Sequence, residues 1–247
     1  VAAELITLRG GATTTDPRLD RVYPGVEEHL SSLNYLAVKG TPLEQKPFRS
    51  YTWNVGCHLD QGQEGRCVEY GICHELASRP VCVEEGVIND ILSRKAIYWP
   101  AQERDKWPGG SYPGGTPVYE GTSVLAGAQV AAELGFYDEY RWGLDVDDLA
   151  RMVGYKGPAV IGVDWYEDMS RPDQDGFIHA TGKQTGGHCI LVHGVKVSKH
   201  QTIEYFKLWN SWGPDWGQNG TCKLSCSDMA KLIAAEGEVM LPVRRKR

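Results

Sequence analysis

Residues 208–220 read Leu208-Trp209-Asn210-Ser211-Trp212-Gly213-Pro214-Asp215-Trp216-Gly217-Gln218-Asn219-Gly220. Just ahead of and overlapping this stretch, Ile203–Trp209 is rich in Ile, Tyr, Phe and Trp and alternates with a period of two, the pattern of a half-buried strand. Ala159–Trp165, Cys189–Val197, Gly220–Leu224 and Glu238–Leu241 read the same way, so the chain beyond Gly157-Pro158 predicts a β-rich lobe. Upstream the period is helical. Val68, Ile72 and Leu76 share one stripe at four-residue spacing, beside Cys73 and Ala77, and Arg79-Pro80 stops them. Glu84–Tyr98 puts Val87, Ile88, Ile91 and Leu92 on one face; Ser123–Leu134 is closed by Gly135; Asp145–Val153 starts at an Asp cap and ends at Gly154. Helices first and strands second predict an α+β fold of two segregated lobes with a cleft between them.

The chain has 247 residues, with 26 Lys+Arg against 32 Asp+Glu and a net charge of −6. That length holds one large domain or two joined lobes, with ample core. The acidity argues against nucleic acid as a partner, because phosphate binding needs a basic face; the Arg244-Arg245-Lys246-Arg247 run reads as a solvated terminus. Apolar runs such as Ile190-Leu191-Val192 fall far short of the ~20 residues that span a bilayer, so no membrane insertion is expected. Residues 1–12 show no secretory signal, which points to a cytoplasmic or virion-associated location. Gly10-Gly11, Thr13-Thr14-Thr15 and Pro17, Pro24 and Pro42 make residues 1–45 an extended arm, and the body is 46–247, with a helical lobe over about 60–155 and a β-rich lobe over 156–243. A Gly/Pro-rich loop over 100–122 has the composition of a functional surface loop.

Seven cysteines leave one thiol over even if the rest pair, and such a thiol is a candidate nucleophile. Around one of them the chain reads Asp60-Gln61-Gly62-Gln63-Glu64-Gly65-Arg66-Cys67-Val68, which places Cys67 in the first turn of a helix, where unsatisfied N–H groups and the macrodipole favour a thiolate. His188, after Gly186-Gly187, is positioned to take the thiol proton and return it to a leaving amine. Asn210, flanked by Trp209 and Trp212, can accept from the other ring nitrogen, and an indole such as Trp212 keeps water off that bond. Gln61 can add a side-chain N–H to the Cys67 backbone N–H around a tetrahedral oxyanion.

With these segments on view, the chain resembles the papain family of cysteine peptidases, and its pattern is most similar to short bacterial and phage-type members. The family's Gln-Gly-x-x-Gly-x-Cys, Gly-His and Asn-Ser-Trp-Gly-x-x-Trp-Gly-x-x-Gly segments match Gln61–Cys67, Gly187-His188 and Asn210–Gly220, with His188 121 residues and Asn210 143 residues after Cys67. The resemblance spans roughly 45–243. It implies a papain-like fold with a helical left lobe and an antiparallel β-barrel-like right lobe, and a cysteine-type endopeptidase using Cys67, His188, Asn210 and Gln61 without cofactor or metal. It also implies substrate-binding roles: Gly121 in Glu120-Gly121-Thr122-Ser123 pairing with an extended peptide, Gly187 beside the catalytic histidine, and Glu238 flooring the main side-chain pocket with Cys189 and Gly162 as neighbours. A carboxylate there would accept Arg or Lys at the second residue before the cut. Three features depart from the pattern: Val68 replaces an aromatic residue, Glu64 replaces the cysteine that bridges in the family, and no long inhibitory pro-segment of the usual type is evident.

Other readings compete. Cys67 alone would read as an inert buried thiol, and it is the company of Gln61, His188 and Asn210 that makes it a nucleophile. The scaffold could serve as a structural or binding module, for instance in a virion or assembly that residues 1–45 contact, or as an amidase acting on peptidoglycan or isopeptide bonds. Cys57-His58, Cys73-His74 and the Cys222/Cys226 pair are ligand types without a paired Cys-x-x-Cys spacing, so a metal site is the weaker reading.

Overall fold

The computed structural model describes residues 6–7, 13–19, 21, 43–84 and 86–243; the basic tail and most of the arm lie outside the described residues. The strands are β1 (Ile6–Thr7), β2 (Thr13–Thr14), β3 (Tyr51–Thr52), β4 (Glu139–Trp142), β5 (Ala159–Tyr166), β6 (Phe177–Ile178), β7 (Gln184–Val197), β8 (Ile203–Trp209), β9 (Thr221–Ser225) and β10 (Glu238–Val243). The α-helices are α1 (Cys67–Leu76), α2 (Trp99–Arg104), α3 (Val124–Glu133), α4 (Val146–Tyr155) and α5 (Cys226–Ala234). β1 and β2 pair with each other, and the other eight strands form one sheet in the order β4-β10-β5-β7-β8-β9-β6, with β3 added to β7. All its pairings are antiparallel except β6 with β9. The expected α+β arrangement is present, but the sheet runs from β4 to β6 without joining its ends, so the right lobe is an open sheet rather than a closed barrel.

The long strand β7 is the spine, because β3, β5 and β8 all pair with it. Its two-residue alternation separates two cores. Ile190 and Val192 join Ile161, Val163, Trp165, Phe206 and Leu224 on one side, whereas Cys189 and Leu191 join Cys67, Val68, Ile72, Leu76 and Leu125 on the other. Helix α1 comes unusually close to β7 at Gly71, where an added Cβ would lie 2.8 Å from the Cys189 sulfur. Gly127 does the same for α3 against α1, at 2.6 Å from Ile72 Cδ1. These two glycines draw the first turn of α1 up to the strand that carries His188.

Some local readings change. The helix expected over 84–98 is a turn followed by a π-helical stretch, Ile91–Tyr98, which runs into α2. α5 was not expected, although Ser225 caps it by accepting the Asp228 N–H at 3.0 Å, a pattern visible as Ser-x-x-Asp. β4 was also missed, as a four-residue strand between turns has too little periodicity to register. Among the described residues no helix is long and apolar enough to cross a membrane.

Candidate active site

Cys67 is the first residue of α1 and is fully buried. No side chain caps the helix start, so the first-turn N–H groups and the positive end of the dipole are left to act on the sulfur. The Cys189 N–H donates to Cys67 Sγ at 3.2 Å, which seats the sulfur against the backbone adjoining His188.

His188 Nε2 lies 2.8 Å from Asn210 Oδ1. The same oxygen accepts the Ser211 N–H at 2.8 Å, which fixes the amide orientation and therefore puts the ring proton on Nε2. With the ring proton on Nε2, Nδ1 is left as the acceptor for a thiol proton. Asn210 is held in turn by its own N–H, which donates to the Gly220 carbonyl at 2.9 Å. Trp212 packs over the imidazole with centroids 4.9 Å apart and Trp165 meets it edge-on at 4.7 Å, so the His188–Asn210 bond is dry. Burial pushes the His188 pKa down to about 4, against the opposing pull of the Asn210 bond.

Gln61 is buried beside this pair. Its Oε1 accepts from Ser211 Oγ at 2.7 Å, which leaves the NH2 group as the donor end. That group donates to the Glu64 carbonyl at 2.8 Å and to the Arg18 carbonyl at 3.4 Å. An arm carbonyl thus rests on the amide assigned to an oxyanion.

Arg18 belongs to the described part of the arm, which lies in the cleft. Thr14 Oγ1 donates to the Thr185 carbonyl at 2.7 Å, the Arg18 guanidinium lies 4.0 Å over the Trp212 ring, and Leu19 is buried in the β-lobe core. The Arg21 N–H donates to the Gly187 carbonyl at 3.1 Å. Gly187 permits this approach, since an added Cβ would sit 2.4 Å from the Arg21 carbonyl oxygen. The Arg21 side chain then enters a pocket whose walls are Val124 and Gly162. Nε and Nη2 donate to Glu238 Oε2 at 3.0 and 2.9 Å, and Nη2 also donates to the Glu236 carbonyl at 3.0 Å. Both side chains are essentially out of water, at 2% and 0% exposure. The strand registers Glu238–Gly162 and Gly162–Cys189 bring the three residues of the expected pocket together.

The scan against known families matches the papain family cysteine protease model over residues 122–240. A cathepsin B-like cysteine proteinase from Ostertagia ostertagi is 26% identical over 159 residues, covering 64% of this chain and 70% of that protein. Another from Caenorhabditis elegans is 33% identical over 76 residues, covering 31% of this chain and only 20% of that protein. The chain is similar to papain family cysteine proteases over just under half of its length. Among solved structures, xylellain, a cysteine protease from Xylella fastidiosa, superposes with a TM-score of 0.62 at 15% identity over 94% of this chain and 97% of that one; digestive procathepsin L 3 of Tenebrio molitor gives 0.51 at 17% over 88% and 78%. At those identities the structural likenesses speak for the papain-like fold alone. The curated relatives come from nematodes and other eukaryotes, so the expected nearness to bacterial and phage members of the papain family gains no support from them. The matched segment carries His188, Cys189, Asn210 and most of the pocket but stops short of Cys67 and Gln61.

Within this cleft one expected residue faces elsewhere. The Gly121 N–H donates to Tyr98 Oη at 2.8 Å and its carbonyl accepts from Gln102 Nε2 at 3.0 Å, so both backbone groups are committed inside the helical lobe rather than offered to a peptide. All seven cysteines are thiols. The ligand-type pairs do not converge: His74 Nε2 accepts the Leu59 N–H, His58 stacks on Trp209 at 4.2 Å, and among the described residues no group of three or more His, Cys, Asp or Glu could hold a metal. Sequence reasoning missed Arg18, Arg21, Tyr98 and Glu120. The two arginines sit in a Pro/Thr-rich arm without periodicity, and nothing local signals their distant partners.

Proposed function

We propose that this chain is a cysteine endopeptidase in which Cys67 attacks the scissile carbonyl, His188 acts as base and then acid, Asn210 orients His188, and Gln61 with the Cys67 N–H stabilises the oxyanion. The observation that carries this reading is the dry His188–Asn210 bond, which fixes the proton on Nε2 and turns Nδ1 into an acceptor on the strand whose next residue holds the Cys67 sulfur. Besides water no other part is needed: the proton leaving sulfur rests on Nδ1, the tetrahedral oxygen takes the Gln61 and Cys67 N–H groups, the amine departs with the Nδ1 proton, and water, giving its proton to Nδ1, then cleaves the thioester and returns the Cys67 thiol. The substrate is a peptide or protein, and the Glu238 pocket favours arginine at the second residue before the cut. The guanidinium of Arg21 in that pocket, with three donors satisfied at once, supports this preference.

We further infer that the described form is latent. Arg18 and Arg21 occupy Gln61, Trp212, Gly187 and the Glu238 pocket together, so a peptide enters only when the arm leaves. Latency separates this reading from an unused scaffold, because the His188–Asn210 bond and the Cys189 N–H bond to the Cys67 sulfur are made beneath the arm. Digestion of casein set against release of fragments from purified peptidoglycan tests the substrate class: casein cleavage that disappears in Cys67→Ala supports the endopeptidase, and fragments from peptidoglycan alone would replace it with the amidase reading.

A further inference from the structure

Gly65, two residues before Cys67, has both backbone polar groups tied across the cleft floor to the opposite wall of the helical lobe. Its N–H donates to Glu120 Oε2 at 2.6 Å, and its carbonyl accepts from Tyr98 Oη at 2.5 Å. The same Tyr98 oxygen accepts the Gly121 N–H at 2.8 Å. One buried hydroxyl therefore joins the nucleophile loop to the Glu120–Ser123 wall, and it does so where Glu64 removes the cysteine that would otherwise bridge this loop. The next residue, Arg66, is anchored on its other side by buried Glu69, by Ser93 Oγ at 2.8 Å and by Asp90 at 3.0 Å. Tyr98 is 2% exposed, so these bonds are made out of water.

We propose that Tyr98 is a positioning residue for catalysis: with Glu120 it forms a hydrogen-bonded clasp on Gly65 that sets the plane of the Arg66–Cys67 peptide, and with it the backbone N–H that faces the oxyanion. The inference rests on Cys67 being the nucleophile. The physical link is short. The Gly65 carbonyl and the Cys67 N–H are separated by one residue, so a swing of the unclasped carbonyl is transmitted directly to the donor, and a displacement of about 1 Å at such a donor is worth on the order of 10²-fold in rate. The sulfur itself is held independently, by the helix start and the Cys189 N–H. Loss of the clasp therefore degrades the oxyanion donor while sparing the thiolate.

The test uses the full chain carrying Arg21→Ala to open the cleft, with Tyr98→Phe or Glu120→Ala added. Three quantities are read: kcat and KM on an arginine-bearing peptide reporter, and the rate of Cys67 alkylation by iodoacetamide, a displacement that forms no oxyanion. The proposal expects kcat to fall about 10- to 100-fold with KM within threefold, while alkylation changes by less than about threefold. Glu120→Gln, which keeps an acceptor oxygen, should recover part of the loss. A folded Tyr98→Phe or Glu120→Ala enzyme with unchanged kcat overturns the clasp, and so does a parallel fall in kcat and alkylation. If Tyr98→Phe does not fold, Glu120→Ala alone decides. Failure of the underlying reading looks different: Cys67→Ala would then retain turnover, whereas failure of the clasp leaves Cys67→Ala inactive.

Discussion

Replacing Arg21 with alanine should shift the latent form toward the open one, and the size of the effect follows from the pocket. Arg21 and Glu238 form a buried pair in which the guanidinium donates three hydrogen bonds. Removing one partner of such a pair costs about 3–5 kcal/mol where the other stays buried. With the arm seated, Glu238 bears that loss in full; with the arm out, it meets water and loses nothing. The opening equilibrium therefore moves by about 3–5 kcal/mol, or roughly 10²- to 4 × 10³-fold at ~1.4 kcal/mol per decade. The arm retains the Thr14–Thr185, Gln61–Arg18 and Arg21 N–H bonds and the Arg18–Trp212 contact. Each is worth about 1 kcal/mol, so the closed form remains populated and the change is measurable as a rate. The assay is the second-order rate of Cys67 modification by a thiol-reactive epoxide, with the modified thiol mapped by mass spectrometry. An increase of roughly 10²- to 4 × 10³-fold is expected. A change of less than threefold in a folded variant would refute the argument that Arg21 holds the arm down.

Glu238→Gln in the opened chain should erase the preference for Arg over Phe at the second residue before the cut, read as a ratio of kcat/KM values for matched reporters; an undiminished ratio would remove Glu238 from specificity. Gly187→Ala should unseat the arm and impair peptide binding together, because its Cβ would stand 2.4 Å from the Arg21 carbonyl; faster Cys67 labelling with a raised KM is the expected pair of results. Acid should weaken the fold through three buried histidines, His74, His188 and His193, whose pKa values burial pushes down to about 3, 4 and 4. The native chain keeps these rings neutral while the unfolded chain protonates them near 6.5, so their stabilisation is whole above that value and is lost as pH falls toward 4. At about 1.4 kcal/mol per pH unit for each ring this amounts to roughly 2 kcal/mol apiece by pH 5. Denaturant midpoints at pH 7 and pH 5 should differ accordingly, and equal midpoints would contradict the buried, neutral assignment.

The residues most legible from sequence are those whose chemistry needs a particular local backbone. Cys67 was visible from its helix start, His188 from its glycine pair, and Asn210 from the Trp/Gly-rich turn that carries it. The strands read well because β5 and β7 lie between packed layers and are almost continuously buried, which suits their Val- and Ile-rich runs, while β8 alternates buried and half-exposed positions. The 84–98 segment misread because four apolar residues on a nominal helical face do not bury one: Val87 and Ile91 are exposed, and Ile88 and Leu92 pack only partly against the core. Sheet closure also escaped, since it depends on whether the edge strands β4 and β6 meet, which no strand encodes by itself. Gly121 was read as open to a peptide, but its partners Tyr98 and Gln102 come from a π-helical turn and a helix that sequence periodicity did not resolve. Arg21 is the extreme case. Its meaning lies entirely in a carboxylate 217 residues away.

The central claim is that one of seven thiols does the chemistry. The most direct measurement is incubation of the Arg21→Ala chain with an arginine-bearing peptidyl epoxide, followed by mass mapping of all seven cysteines alongside residual reporter hydrolysis. The account predicts that Cys67 is modified and that hydrolysis disappears in proportion, with Cys57, Cys82 and Cys226 untouched although they are the more exposed thiols. Modification of those three with Cys67 intact, or hydrolysis that survives full labelling of Cys67, would contradict it.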